Sequence, residues 1–522
     1  MSPEHSRRHF LQTAATAGAA LGLGNFAALA PLGPASADEA KVSPELVQFS
    51  PDIEPVVRLI ERTPHDQCVA AMVEQLRKGL PYRHFLAAIY LASIRAARWH
   101  GDGMHGWDHN AYVVHSAHQL SLDLPAGEQL IPAFYALSAF GQKSYPDKQN
   151  RGTRELTGRV PPAEKALDEL HTALTEWDSD RAERAIVSLA RSKGSAEVLE
   201  PLWHYAGRDW GFIGHMAILV ANSGRLLETI GWQHAEHVLR YVVQGLAGWG
   251  KEHDQHSDVQ PYWANLQRIE KSIRKLPGNW AEDQGHAGLT KDLLTLLREG
   301  KGNEACDLAL KHLADGTARA GAVWDAVHLA AGELVLSSKP HNKFRPINSA
   351  ALHANTAANA LHYAYRASSK EETRLLLTLQ AVSWMDLHRK EVIRGQWLVR
   401  PTDITALADA QLPALPQQPE AAIEQILATR TAQPEEVARM AFAFAQRHRP
   451  EPLLRAARRL IPMKSTGDPH DIKFPVAIFE DLDLVSPGWR PHLMAAAAWS
   501  FWGTDRPDLP HMQQIREAIR TL

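Results

Sequence analysis

The chain has 522 residues, enough for about three domains of average size. Its composition, 45% hydrophobic and 22% charged, is that of a globular protein with a sizeable core and excludes an acidic disordered chain. A net charge of −3 gives no support for a nucleic-acid binder resting on a basic face, and two cysteines exclude a disulfide scaffold, a cysteine zinc ribbon and an iron–sulfur site. What stands in excess is 27 His and 15 Trp.

The first element, residues 1–37, reads as an export signal. Ser6-Arg7-Arg8-His9-Phe10-Leu11 forms a charged start with adjacent arginines, a weakly apolar run reaches Leu32, and Ala35-Ser36-Ala37 supplies a small-residue cleavage site. Gly18, Gly22, Gly24 and Asn25 make the run a poor membrane span. The adjacent arginines resemble a twin-arginine signal, which implies the twin-arginine export machinery as a partner, a mature chain starting at Asp38, and a periplasmic or secreted location. That route carries proteins already folded, often with a cofactor loaded. No later stretch approaches the ~18 uninterrupted apolar residues of a membrane helix, so no integral membrane segment is expected in the mature chain.

Helical periodicity then recurs over 55–62, 67–78, 82–99, 110–122, 162–176, 181–191, 214–230, 235–247, 290–298, 303–314, 321–336, 349–367, 370–387, 420–428, 434–446 and 451–461. Start signals agree with it. Pro161-Pro162-Ala163-Glu164 suits a first turn, Asp178-Ser179-Asp180 offers caps, and Ser368-Ser369-Lys370-Glu371-Glu372 does the same further on. Alternating Val, Ile and Thr are essentially absent. The fold class expected is all-α, a multi-helical bundle or an α/α helical-pair array. Polar loops fall at 143–160, 248–258 and 337–346. The proline-rich Leu412-Pro413-Ala414-Leu415-Pro416 divides a main His-rich domain, 38–410, from a smaller helical domain, 411–522. Cys68 and Cys306 lie in apolar helical contexts and either pair or remain buried thiols.

The densest chemistry is His100 to His118. With helix from Trp107, Asp108, His115 and His118 fall within an arc of about 80°, a spacing that suits a divalent or redox transition metal. Tyr112 is placed to move protons there. Other helices repeat the style. His215 is followed at +7 by Asn222 and at +10 by Arg225, and Asp325 and His328 stand at i, i+3. Asn355, Asn359 and His362 form one stripe, while His353 and Thr356 form another on roughly the opposite side. Asp108, His115, His118, His215 and His328 are therefore the candidate metal ligands, and His353, His362, Tyr112 and Asn359 the candidate catalytic groups. Singly, each is a hydrogen-bonded structural histidine; their recurrence on apolar helices makes the case. Pro469-His470-Asp471-Ile472-Lys473, with Glu480-Asp481 behind, reads as a capping or docking segment. The tryptophans offer ring-stacking or core. No GxSxG, P-loop or CxxCH is present in the mature chain.

At 109–120 and 352–365, HSAHQL and HANTAANAL resemble segments of the questin oxidase-like family, over some 30 residues. The resemblance implies an all-α fold and oxygen-dependent, Baeyer–Villiger-type oxidation of an aromatic substrate. Members of that family are intracellular, whereas this chain reads as exported, so no catalytic assignment is carried over. The leading expectation is an exported, metal-dependent oxidoreductase acting on a small organic molecule. The alternatives are a metal-free α/α-toroid polysaccharide lyase or hydrolase, and a non-catalytic helical scaffold.

Overall fold

The computed structural model describes residues 47–96, 110–143, 155–338, 349–398, 402–429 and 434–522, so the export signal and Asp108 lie outside the described residues. Among the described residues the secondary structure is α-helix and short 3-10 turns, with a single isolated bridge between Ser338 and Leu398 and no strand. The all-α expectation holds. No helix among them is long and apolar enough to cross a membrane.

Local chemistry explains the helix ends. Asp178 caps Ser179–Ser192 by accepting from the Arg181 amide at 3.0 Å, as the sequence anticipates. The start of Glu371–Arg394 is held from another helix instead. Glu200 of Ser195–Ala206 accepts from the Ser369 amide at 2.8 Å and the Ser368 hydroxyl at 2.6 Å. Several helices add to those read from periodicity, among them Ser195–Ala206, Gln260–Ser272, His470–Leu484, Arg490–Ala497 and Pro510–Ile519. Ser195–Ala206 and His470–Leu484 contain Pro201 and Pro475. A proline there forfeits a backbone hydrogen bond without ending the helix, because tertiary packing outweighs the loss.

Ala320–Ser337 and Ser349–Ala367 are buried on every side, as enclosed helices are, rather than along one stripe. Ser349–Ala367 is the hub. It packs against Glu371–Arg394, Gly211–Ile230, Ala320–Ser337 and His470–Leu484. Its alanines at 350, 351, 354, 357, 358, 360 and 364 let those neighbours approach closely. Four helices close a ring: Asn110–Leu122 touches Gly211–Ile230, which touches Ser349–Ala367, then His470–Leu484, which returns to Asn110–Leu122. Elements from both sides of the proline-rich segment at 412–416 thus meet in that ring.

Trp203, Trp210, Trp280, Trp324 and Trp384 are buried core residues. Cys68 and Cys306 are buried free thiols, and burial pushes each up to about 11.

Candidate metal centre and polar seam

Three of the ring's helices carry polar stripes facing one seam. They hold His215, Asn222 and Arg225; His353, Thr356 and Asn359; and His470, Lys473 and Glu480. The spacing of +10 in the first and third is nearly three turns, about 15 Å of helix. All three stripes begin with histidine, and the members at their far ends again meet.

At the histidine end, ligand nitrogens of His215, His353 and His470 lie within 4.8 Å of one another. The rings of His215 and His353 are 4.5 Å apart, and those of His353 and His470 are 5.0 Å apart. Each ring has its Nδ1 committed elsewhere. His353 Nδ1 donates to the Ser349 carbonyl at 2.6 Å, His470 Nδ1 donates to Asp468 Oδ1 at 2.6 Å, and His215 Nδ1 donates to the Phe212 carbonyl. These partners fix the tautomer and leave Nε2 as the coordinating nitrogen, the usual outer support of metal-bound imidazole. Burial, with Lys473 adding, drives His215 and His353 well below the ordinary histidine value, so both stay neutral as ligands must.

The backbone that delivers His215 is strained. Phe212, Ile213 and Gly214 have φ of 54°, 55° and 85°, and a left-handed β-branched residue is an outlier. A stack of rings holds the turn: Phe212 on Trp249 at 4.9 Å, Trp249 on His253 at 4.7 Å, and His253 on His256 at 5.1 Å. Asp209 locks it from the other side, accepting from the Gly211 amide at 2.7 Å and from His253 Nε2 at 3.0 Å. The polar loop at 248–258 is therefore the clamp on the turn that delivers His215.

At the other end Glu480 meets Arg225 at 3.0 Å and His115 Nε2 at 3.6 Å, and accepts from Asn359 Nδ2 at 3.1 Å. Burial raises its carboxyl, but Arg225, His115 and Asn359 together hold it down at about 2. Between the two ends lies a cavity of about 10 Å³, scarcely room for one water, bordered by Lys473, Thr356, Asn222, Asn359 and Glu480.

Asn359 also donates to Asp481 Oδ1 at 2.8 Å, which joins the seam to a second buried line. Asp481 Oδ2 lies 3.2 Å from His328 Nδ1, His328 Nε2 lies 2.7 Å from His362 Nδ1, and His362 stacks on Trp324 at 4.2 Å. The sequence-derived candidates thus separate. His215 and His353 enter the three-histidine group, His328 and His362 pair with Asp481, Asn359 links the two, and His115 faces Glu480. His118 faces Tyr82, with the hydroxyl 3.4 Å from its Nδ1. Asp108 and the Tyr112 side chain lie outside what is described. Asp325, grouped with His328 by spacing, instead accepts from the Ser486 amide at 2.8 Å.

His470, Lys473 and Glu480, read from the sequence as part of a capping or docking segment, are the residues that the candidate site adds. A signal was present: 470, 473, 477 and 480 fall on one helical face, in a helix that runs through Pro475. No family model matches the chain, and neither a curated protein nor a solved structure matches it.

Proposed function

We propose that the protein is a metal-dependent enzyme, and specifically an oxidoreductase, whose ion is held by His215, His353 and His470. The observation that carries this reading is the convergence of three imidazoles, each with a ring nitrogen within 4.8 Å of the others and each with its Nδ1 hydrogen-bonded to an oxygen acceptor. A neutral all-imidazole set suits copper, iron or zinc, and Irving–Williams order favours copper in such a set. Bound there, a redox ion supplies one-electron chemistry toward oxygen or peroxide. The local resemblance to questin oxidase-like proteins supports oxidation over hydrolysis. The chain's own groups supply the rest: Lys473 holds positive charge beside the ligands, while Glu480, His115 and Asn359 hold the far end of the seam. Twin-arginine export to the periplasm or beyond, in the folded and loaded state, completes the reading.

The test is to purify the exported protein and quantify metals by mass spectrometry beside an absorption spectrum. Near one redox-active ion per chain is expected. His470→Ala should lose it with the helical circular dichroism intact, whereas His115→Ala and His118→Ala should keep it. A metal-free, colourless wild type, or ion loss in the His115 or His118 variant but not in His470→Ala, overturns the assignment.

A further inference from the structure

What the ring stack does beyond clamping the turn follows from where its two ends lie, and rests on the three-histidine reading above. At the inner end the Phe212 carbonyl accepts from Nδ1 of His215, one of the three proposed ligands. At the outer end stands His256, whose side chain is 54% exposed. Between them Phe212, Trp249, His253 and His256 follow one another at 4.9, 4.7 and 5.1 Å, each ring tilted from the last by only 23°, 10° and 11°. Rings stacked this closely bring their π systems into contact. One hydrogen bond and four rings thus join a proposed ligand to solvent without a gap.

Of these four rings only the indole of Trp249 gives up an electron readily; phenyl and imidazole do not. Trp177 stands edge-on to His253 at 5.2 Å, but the Arg208 guanidinium lies 3.5 Å over its ring. A cation on the face draws on the same π electrons, so removing one from Trp177 is harder. Asp209 has the opposite effect on the stack itself. Its carboxylate accepts from His253 Nε2 at 3.0 Å, and negative charge there favours electron loss from the indole stacked on that imidazole.

We propose that this stack carries single electrons from a one-electron donor outside the protein, arriving at His256, to the ion, with Trp249 as the coupling ring. In each passage the donor loses one electron and the ion gains it. No heavy-atom bond forms or breaks, and Trp249 ends as it began. The loop at 248–258 then has two tasks, holding the turn that delivers His215 and connecting that ligand electronically to the surface.

The test uses the full chain carrying His256→Cys labelled with a ruthenium tris-bipyridyl complex; Cys68 and Cys306 are buried and stay unlabelled. With Cu²⁺ loaded, a laser flash makes the label donate one electron, and loss of the Cu²⁺ signal gives the rate. Trp249→Leu removes the ring and should slow transfer about tenfold or more at unchanged copper content, whereas Trp249→Phe keeps a ring and should stay within about threefold of the unsubstituted indole. Trp263→Phe, at a tryptophan packed on Tyr262, is the control and should change nothing. In metal-free protein, with the label oxidised instead, the transient absorption of a tryptophan radical should appear and be lost in Trp249→Phe. An unchanged rate in copper-bearing Trp249→Leu, or no radical in the metal-free chain, overturns the electron route. If Trp249→Leu releases its copper, the metal-free chain decides: loss of the radical in Trp249→Phe supports the route, and its persistence overturns it. If His470→Ala holds copper as the parent chain does, the metal centre falls, whatever the radical shows.

Discussion

Glu480 gathers partners from three other helices, and its behaviour can be worked out from them. Arg225, His115 and Asn359 hold its carboxyl at about 2 against the rise that burial alone would cause. Its folded value lies below the ordinary 4.5, so its stabilisation is complete above pH 4.5 and is lost as pH falls from 4.5 towards 2. Glu480→Gln keeps the shape and removes the charge, leaving Arg225 beside a neutral amide. Because the side chain is 26% exposed, the expected loss falls between the range for surface pairs and that for fully buried ones, about 1–3 kcal/mol at pH 7. Urea unfolding reads this directly. The gap between variant and wild type should close as pH is lowered from 4.5 to 2; a gap that is absent at neutral pH, or constant to pH 2, contradicts the assignment. Ion content should survive the change, since Glu480 is no ligand.

Among the elements, the left-handed turn before His215 is where geometry is least forgiving. Gly214 has φ of +85°, and a Cβ there would stand 2.7 Å from the Cβ of Ala357, on the helix that carries His353. Gly214→Ala therefore strains the backbone and forces apart two of the three ligands. We expect a loss of about 1–3 kcal/mol in stability and a clear weakening of ion binding, from a residue that touches no ion. Gly127→Ala, with nothing within 4 Å of the new methyl, is the control and should change neither. Equal behaviour of the two variants would show that the turn does not set the His215–His353 separation. The same turn marks how far the sequence could be read. His215, Asn222 and Arg225 were legible as a stripe because their helix is regular beyond residue 214. Nothing in the string Gly211-Phe212-Ile213-Gly214 announces three left-handed residues, since Phe and Ile have no local preference for them and the conformation is imposed by Asp209 and the Trp249 stack. His470 was legible as an imidazole but read as capping or docking, because its partners come from other helices; packing against four neighbouring helices carries His470–Leu484 through Pro475.

For the molecule as a whole, the all-α class was legible because period-3.6 patterning covers most of the chain, and that signal is local. Which helices meet is not local. The ring joining Asn110–Leu122, Gly211–Ile230, Ser349–Ala367 and His470–Leu484 unites segments hundreds of residues apart, so periodicity could nominate histidines but not partner them. The same burial sets the molecule's response to acid. Burial is the largest influence holding His118, His204 and His237 at about 4 and His388 at about 3, all below the ordinary 6.5. In such a case the stabilisation is whole above pH 6.5, where folded and unfolded chains are both neutral at these sites. As pH falls the unfolded chain takes up protons first, and stability drains until the folded values near 3 to 4 are reached. At pH 5 each such histidine costs about 2 kcal/mol, so together they rival the about 5–15 kcal/mol that holds a domain folded. Urea midpoints of the metal-free protein should therefore fall steeply between pH 6.5 and 5, ahead of carboxylate protonation. His388→Phe, which keeps a ring against Trp210, should lose about 2 kcal/mol less over that interval than wild type. A midpoint that is flat from pH 7 to 5 and drops only below 4.5 would place the acid sensitivity in the carboxylates instead, and a His388→Phe profile parallel to wild type would remove that residue from the account.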